Sequence, residues 1–356
     1  MILILRVILY PLSVIMDIPK RLSNWISIKI LRNESKYTVE GHVLSSKKIA
    51  IYAIYPETTT WESFYRAAMT LKEMNYQVIC VVNSNASSLM WVEKIRIAGF
   101  TCIHRKNIGA DFGAYKLGIK ILQKRNIYEE VSDLILINDS IYFTPESVAS
   151  LSEIAEGENG YNCLYVHKQS VAHAGSMLIR LDETILQSRP FLRFWHKYYS
   201  YSNKKKVIKR GEHKLSRLCG IDYFQPYVNT KKVSNILEIK LETVDILQVL
   251  TWTRRSALPA SLYVEKSIQL NDYFRVVEYV ICNLQVSNSL GLFFARQLHA
   301  PIKMDLVSSG LINPSDFINI LSGHGCTDQE ISAVGRVLSL RGSYFEAGIL
   351  DRIARA

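Results

Sequence analysis

The sequence predicts an α/β protein with a central sheet flanked by helices, and two observations support this prediction. From Lys47 onward, short apolar runs alternate with amphipathic stretches, and polar or glycine-rich segments follow several of the apolar runs. Such alternation is typical of βαβ units that build a parallel sheet. The chain has 356 residues, 48% of them hydrophobic and 21% charged, so it can bury a large core. This composition excludes a disordered chain and a small disulfide-stapled fold.

Continuous apolar runs predict buried strands, and apolar residues spaced three or four positions apart predict helices. The predicted strands span residues 49–54, 77–82, 100–104, 134–137, 163–167, 176–180 and 221–228. The predicted helices span residues 61–74, 89–98, 114–124, 191–199 and 207–218. We therefore expect an α/β domain over residues 47–240 and a mainly helical C-terminal region over residues 241–356.

The segment 1–46 is predicted to associate with a membrane surface. Its apolar run, residues 1–16, is shorter than the roughly 20 residues of a membrane-spanning helix and lacks the order of charges of a signal peptide. Residues 22–32 combine Trp25 with cations, as an in-plane amphipathic helix does. We expect a cytoplasmic protein that lies peripherally on the anionic inner face of the cell membrane. The alternative is that this segment packs on the domain or against another subunit.

The charge balance and the cysteines narrow the class of partner. The net charge of +11 suits nucleic acid, an anionic membrane or a phosphorylated substrate. The sequence has no zipper, zinc-finger or RNP-like motif, so we expect no nucleic-acid partner. The six cysteines are widely spaced and form no C-x-x-C pair, which indicates buried thiols in a reducing compartment.

Polar residues cluster where the predicted strands end. In parallel α/β sheets the ligand crevice lies at the carboxyl ends of the strands. These residues are Asn83, Asn107, Gly109, Asp111, Asn138, Asp139 and Ser140. No G-x-S-x-G elbow, P-loop, H-E-x-x-H or strict G-x-G-x-x-G motif is present, which weakens hydrolase, kinase and dehydrogenase interpretations.

In this order of motifs the sequence resembles the inverting nucleotide-sugar glycosyltransferases of the GT-A fold. It is more closely similar to the rhamnan synthesis F family of bacterial polysaccharide glycosyltransferases, from about Lys48 to Val228, with a weaker echo at residues 300–303. The matching phrases are NIGADFGAYKLG, LILINDSIYFTP, HAGSMLIRL, FLRFWHKY and VIKRGEHKLSRLCGIDYFQPY. The resemblance implies a GT-A-like, Rossmann-type mixed sheet.

The resemblance also implies a function. It implies an inverting transferase that moves a sugar from a nucleotide diphosphate donor to a lipid-linked glycan in O-antigen, capsule or rhamnan synthesis, with rhamnose from dTDP-rhamnose as one candidate donor. A second hypothesis is a catalytically silent module that binds a glycan or nucleotide and scaffolds a polysaccharide-synthesis complex. This hypothesis is suggested by Ser140, which stands where many relatives have a second carboxylate.

Several residues are expected to bind the donor. The resemblance gives Asp139 the place of a metal or ribose ligand, although a lone carboxylate holds Mg²⁺ or Mn²⁺ weakly, and the basic cluster 204–210 is an alternative source of positive charge. The alternative for Asp139 is a helix N-cap. Asp111 is expected to bind the base or ribose, or else to cap a helix beside two turn-forming glycines. Lys116 is expected either to reach a phosphate or to be solvated.

Other residues are expected on the acceptor side. Glu212 is the candidate base, with His213 as the alternative, because inversion needs a group that removes the acceptor proton. Glu212 could equally be a first-turn residue that complements a helix dipole. The resemblance places His173 and Ser176 across the acceptor, although a structural role is open for His173. Trp195 is a candidate for stacking on a sugar ring, but core packing is the favoured interpretation.

Overall fold

The structure, a computed structural model, describes residues 37–41, 45–84, 87–158, 160–168, 171–201, 203–220, 224–229, 232, 291–308 and 314–340. The amphipathic stretch 22–32 and the start of the C-terminal region, 241–290, therefore lie outside the described residues. No helix in the described ranges is long and apolar enough to cross a membrane. Five of the six cysteines lie within these ranges and all five are free; four of them are buried as predicted, whereas Cys219 is half-buried.

Most of the strands build one mixed sheet, and four short strands form two small ladders. The strands are β1 (Thr38–Glu40), β2 (Lys48–Ile54), β3 (Gln77–Ser84), β4 (Thr101–Lys106), β5 (Asp133–Asn138), β6 (Ile141–Tyr142), β7 (Tyr161–Cys163), β8 (Val166–His167), β9 (His173–Ala174), β10 (Leu178–Asp182), β11 (Phe224–Pro226) and β12 (Ile302–Lys303).

The sheet has eight strands in the order β1-β4-β3-β2-β5-β10-β7-β11. Strands β4, β3, β2 and β5 are parallel neighbours, whereas β10 runs antiparallel to both β5 and β7. The ladders pair β8 with β9 and β6 with β12. This mixed sheet between helices confirms the predicted GT-A-like α/β fold.

Helices cover both faces of the sheet. They are α1 (Trp61–Glu73), α2 (Ser88–Ile97), α3 (Ala110–Lys124), α4 (Val148–Ala155), α5 (Glu183–Leu186), α6 (Arg189–Lys197), α7 (Lys204–Val207), α8 (His213–Cys219), α9 (Gly291–Leu298), α10 (Asp305–Ser308), α11 (Pro314–Gly323) and α12 (Asp328–Leu340). A π-helical turn, Ile208–Glu212, joins α7 to α8.

The central strands are buried on both faces, and this explains their continuous apolar runs. Successive residues of β2 point to opposite sides, so Tyr52 packs in one core cluster and Ile51 in the other. The first cluster also contains Phe293 and Phe317 from the C-terminal helices. Residues 291–340 therefore share a core with the sheet.

Several predicted boundaries are corrected by the structure. The helix expected from residue 114 begins at Ala110, so residues 110–113 are helical as well. The strand expected over residues 163–167 is divided between β7 and β8. The helix expected over residues 207–218 begins at Lys204 and contains the π turn. The described part of the C-terminal region, within residues 291–340, contains α9 to α12 and the short strand β12.

Candidate active site

The loop after β4 is shaped by a buried arginine and by glycine geometry. The Arg105 guanidinium donates to the carbonyl oxygens of Ile108 at 2.8 Å and Ala110 at 3.0 Å. Gly109 has φ +83°, in the left-handed region that favours glycine. A Cβ atom at Gly113 would lie 2.1 Å from the Ile108 carbonyl oxygen. The loop is thereby fixed, and Asp111 falls in the first turn of α3.

Asp111 is held against the end of β5. The Asn138 side-chain amide donates to Asp111 Oδ2 at 2.8 Å. Burial and the nearby charge of Glu212 raise the pKa of Asp111 to about 6, although a backbone hydrogen bond opposes the change. This carboxyl group therefore exchanges its proton in a range where an ordinary aspartate is fully ionised.

Ser176 connects the Asp111 side of the site to Glu212. Its carbonyl oxygen accepts from the Tyr115 hydroxyl at 2.9 Å and from the Asn138 amide at 3.5 Å. Its own hydroxyl donates to Glu212 Oε1 at 2.7 Å. Three side chains, together with both the carbonyl oxygen and the hydroxyl of Ser176, thus form one hydrogen-bonded chain. We call it the carboxylate chain, and its residues are Asp111, Asn138, Ser176 and Glu212.

The other oxygen of Glu212 faces His173, whose Nε2 lies 3.5 Å from Oε2. Val171 O lies 2.7 Å from His173 Nδ1, so Nδ1 is the protonated donor there and fixes the ring. Burial opposes ionisation of Glu212, but hydrogen bonds from His173 and Ser176 outweigh it and lower the pKa of Glu212. Glu212 is therefore an ionised, oriented carboxylate at neutral pH.

Glu212 immediately precedes α8 but lies inside a helical run that is continuous from Lys204 to Cys219, so it does not stand at a free helix N-terminus. The helix-dipole alternative predicted for it is corrected, since that effect is confined to the first turn. His213 follows directly, with its ring centroid 4.4 Å from that of His173. Burial and the neighbouring His173 lower the pKa of His213, so its imidazole is neutral at pH 7.

Asp139 supports the loop that follows β2. Its Oδ2 accepts from the Tyr55 backbone N–H at 2.8 Å and from the Thr58 hydroxyl at 2.9 Å. No helix follows directly, so the N-cap alternative is corrected. The neighbouring Ser140 has no carboxylate, and its hydroxyl donates to Asn138 Oδ1. These residues do not form the carboxylate pair that a donor-bound Mg²⁺ or Mn²⁺ would need.

Lys303 is a residue of this site that the sequence analysis did not single out. Strand β12 pairs with β6, so Lys303 lies opposite Ile141, and the Met304 N–H donates to the Ser140 carbonyl oxygen at 2.9 Å. Burial lowers the pKa of Lys303, although the charges of Asp305 and Glu212 act in the opposite direction. The weak echo at residues 300–303 was the sequence signal for it.

A second cation, Lys204, lies near Lys303. Lys204 Nζ is 3.6 Å from Asp305 Oδ2, and Lys204 is 84% exposed, so its ammonium group is accessible from solvent. The charge of Asp305 raises the pKa of Asp111, and the charge of Lys204 lowers it. The site therefore places positive charge near the carboxylate chain.

Three of the predicted site residues form hydrogen bonds within the protein. The Asn83 amide is buried and donates to the Ile54 carbonyl oxygen at 3.1 Å. Lys116 is half-buried, and its ammonium donates to the Tyr198 carbonyl oxygen. Asn107 accepts from the Tyr55 hydroxyl.

Trp195 packs in the core, in agreement with the favoured interpretation. It is 3% exposed and stacks on Phe112, with ring centroids 5.8 Å apart. Its neighbours Phe191 and Phe194 complete an aromatic cluster beneath the site. A buried ring face offers no surface to a sugar, so Trp195 supports α3 from below.

The similarities of this chain to known proteins are low in sequence identity and do not establish a family for it. No protein-family model matches the chain. An uncharacterized protein, y4gN of Sinorhizobium fredii (strain NBRC 101917 / NGR234), is 29% identical over 185 residues, which cover 50% of this chain and 47% of that protein. The chain thus matches about half the length of this curated relative.

Three solved structures are similar at low identity. A cytidylyltransferase from Leptospira borgpetersenii serovar Hardjo-bovis is 10% identical, covering 67% of this chain and 97% of that one, with a TM-score of 0.29. A putative nucleotide-diphospho-sugar transferase from Desulfovibrio desulfuricans G20 is 10% identical, covering 68% and 100%, with a TM-score of 0.27. A mannosyltransferase from Pyrobaculum calidifontis, in complex with GDP-Man and Mn²⁺, is 7% identical, covering 90% and 92%, with a TM-score of 0.28. At these scores the superpositions decide neither reaction nor substrate.

Proposed function

We propose that the protein is an inverting glycosyltransferase that moves a sugar from a nucleotide diphosphate donor to an acceptor hydroxyl. The observation that supports this most is the carboxylate chain at the carboxyl edge of the sheet, with Lys303 near Glu212. It combines an oriented, ionised carboxylate with a cation, which are the two groups that a displacement of diphosphate requires.

In the proposed reaction Glu212 removes the proton from the acceptor hydroxyl. The freed oxygen attacks the anomeric carbon as the bond from that carbon to the diphosphate oxygen breaks, so the configuration inverts. The nucleoside diphosphate leaves with the bonding electron pair. Ser176 and His173 orient the carboxylate, and Asp111 with Asn138 contacts the nucleotide part of the donor.

Positive side chains take the role of a metal in this proposal. The residues after β5 do not supply a carboxylate pair, whereas Lys303 and Lys204 stand near the carboxylate chain. An ammonium group that is partly desolvated interacts strongly with a phosphate oxygen. We therefore expect donor binding without Mn²⁺.

The finer identity of the substrates rests on the sequence resemblance to the rhamnan synthesis F family. We propose a deoxyhexose such as rhamnose as the sugar and a lipid-linked glycan of cell-surface polysaccharide synthesis as the acceptor. The cationic, apolar segment 1–46 suits an acceptor at an anionic membrane surface. Deleting residues 1–32 should then reduce partition onto anionic vesicles, and unchanged partition would contradict this part of the proposal.

The first experiment is a panel of nucleotide sugars screened by thermal shift, with and without Mn²⁺. A ligand that binds only the folded protein raises its melting temperature. We expect one donor to give a shift that EDTA leaves unchanged. The absence of a shift with every donor would overturn the proposal.

A second candidate is a silent GT-A-like scaffold that binds a glycan or nucleotide without turnover. It is favoured by Ser140 and by the engagement of Asp139 with Tyr55 and Thr58, which leave no metal-binding carboxylate pair after β5. The two candidates differ in one measurement. A scaffold binds the donor but releases no nucleoside diphosphate from it, with or without acceptor glycans.

A further inference from the structure

Two histidines and a glutamate meet on the side of the molecule where the C-terminal helices join the sheet. His299 Nδ1 lies 2.8 Å from Glu146 Oε2, and His324 Nε2 lies 4.0 Å from the same oxygen. The three ligand atoms all fall within 4.8 Å of one another. Glu146 precedes α4, His299 follows α9 and His324 follows α11, so three separate parts of the chain converge here.

The buried member of this trio is already oriented. His324 is 5% exposed, and its Nδ1 lies 3.4 Å from the Thr144 hydroxyl. Thr144 is fixed in turn, since its N–H donates to Ser147 Oγ at 2.7 Å and its Oγ1 accepts from the Ser147 N–H at 3.0 Å. A polar partner on the second ring nitrogen is the usual arrangement of a metal-binding histidine, because it fixes the tautomer and the ring.

The backbone of His299 ends α9. Its φ of +49° lies in the left-handed region, which histidine adopts more often than most residues other than glycine. The Ala300 N–H donates to the Phe294 carbonyl oxygen at 3.2 Å, as in a Schellman helix C-cap. This cap sets the position from which the imidazole meets Glu146.

We propose that Glu146, His299 and His324 bind a divalent transition metal, with Zn²⁺ as the ion that suits two imidazoles and one carboxylate. Ligand bonds of about 2.0–2.1 Å in a tetrahedron place ligand atoms about 3.3 Å apart. That spacing lies between the two separations from Glu146 Oε2, 2.8 and 4.0 Å. No pair of the three ligand atoms is farther apart than 4.8 Å, so side-chain shifts of up to about 1.5 Å bring them to the tetrahedral spacing, and water supplies the fourth ligand.

Such a metal fastens the C-terminal region to the sheet domain. His299 stands a few residues before β12, the strand that presents Lys303 to the carboxylate chain. The metal thus has a structural and positioning role away from the sugar chemistry. Its binding requires neither a nucleotide nor turnover, so it is tested independently of the proposed function.

The test uses the full chain, freed of metal with EDTA and without an affinity tag, titrated with Zn²⁺ in the absence of nucleotide. We expect one Zn²⁺ per chain and a rise in melting temperature. The variant His299→Asn keeps a residue type that tolerates the left-handed backbone, and His324→Gln removes the oriented imidazole. Each should weaken Zn²⁺ binding at least roughly a hundredfold and abolish the shift.

Two controls locate the ion. His196→Gln changes an exposed histidine of α6, and His213→Ala changes the separate histidine group beside Glu212. Both should bind one Zn²⁺ as the wild type does. The proposal is overturned if the wild-type protein binds no Zn²⁺, if His299→Asn binds it equally well, or if binding is lost in His213→Ala.

Discussion

Ser176 Oγ donates to Glu212 Oε1 across 2.7 Å while His173 Nε2 lies 3.5 Å from the other carboxylate oxygen. The two oxygens of one side chain are therefore both positioned by the short segment 173–176. An isolated glutamate on a helix samples several rotamers, whereas this one is held by both oxygens. The π turn directs it inward, and such turns are frequent at functional sites.

The Glu212→Gln substitution preserves shape and removes the base. We expect kcat for sugar transfer to fall by about 10²- to 10⁴-fold while the affinity for the nucleotide diphosphate is kept. Product release measured by a coupled nucleoside diphosphate assay checks the first part, and calorimetry checks the second. Glu129→Gln, at an exposed position, is the matched control and should behave as the wild type. Turnover close to wild type in Glu212→Gln would assign the base elsewhere, with His213 as the next candidate.

Ser176→Ala should move the acidic limb of the pH–rate profile to higher pH. The hydrogen bond from Ser176 helps to lower the pKa of Glu212, so its loss raises that pKa. A base with a higher pKa is protonated over a wider acidic range, and kcat/KM at pH 5 to 6 then falls more than at pH 8. A uniform loss at all pH values would instead indicate a purely structural role for the hydroxyl group.

Asp111→Asn should stabilise the protein above about pH 6 relative to the wild type. The folded-state pKa of Asp111, about 6, is above that of the unfolded chain, so its contribution is greatest below the unfolded pKa and is lost as pH rises to about 6. A full two-unit difference is about 2.7 kcal/mol, and partial exposure reduces the expected gain to about 1 to 2 kcal/mol.

Urea unfolding of both proteins at pH 4 and pH 7.5 measures this effect. The asparagine can still accept the hydrogen bond from Asn138, so the contact at 2.8 Å is retained. The difference in unfolding free energy should therefore appear at pH 7.5 and shrink at pH 4. An equal difference at both values would contradict the raised pKa.

The parts of the fold that depend on local pattern were predicted from sequence, and those that depend on distant contacts were not. Strand β2 is a continuous apolar run because both of its faces are buried, so its position was clear. The start of α3 was placed too late, because Arg105 fixes the carbonyl groups of the preceding loop. The π turn before His213 has no comparable sequence pattern.

In the site, too, the residues placed by local pattern were predicted and those placed by distant contacts were not. Asp111 and Asn138 follow predicted strands, so their approach at the sheet edge was expected. Lys303 reaches the site through the pairing of two strands of two residues each, β6 and β12. A pairing so short leaves no periodicity, and only the tertiary structure reveals it.

Lys303→Met should weaken binding of the nucleoside diphosphate about ten- to a hundredfold, because a charge-assisted hydrogen bond contributes about 1.5–3 kcal/mol. Binding of the uncharged nucleoside should change little, since Lys303 is proposed to contact phosphate. Lys197→Met, at an exposed position of α6, is the matched control. Calorimetry with both ligands checks this. An equal loss for nucleoside and diphosphate would indicate that the substitution distorts β12.

Gly113→Ala should destabilise the protein because its new Cβ would lie 2.1 Å from the Ile108 carbonyl oxygen. That carbonyl also accepts from Arg105 at 2.8 Å, so it cannot withdraw without breaking a buried hydrogen bond. We expect a loss of roughly 3 kcal/mol.

Gly335→Ala is the matched control, because a Cβ there meets no atom within 4 Å and lies in a helix interior. It should stabilise the protein by about 0.5–1 kcal/mol. Thermal denaturation of both variants decides the matter: if Gly113→Ala is as stable as wild type, the loop before α3 is not fixed by Arg105, and Asp111 is free to move out of the carboxylate chain.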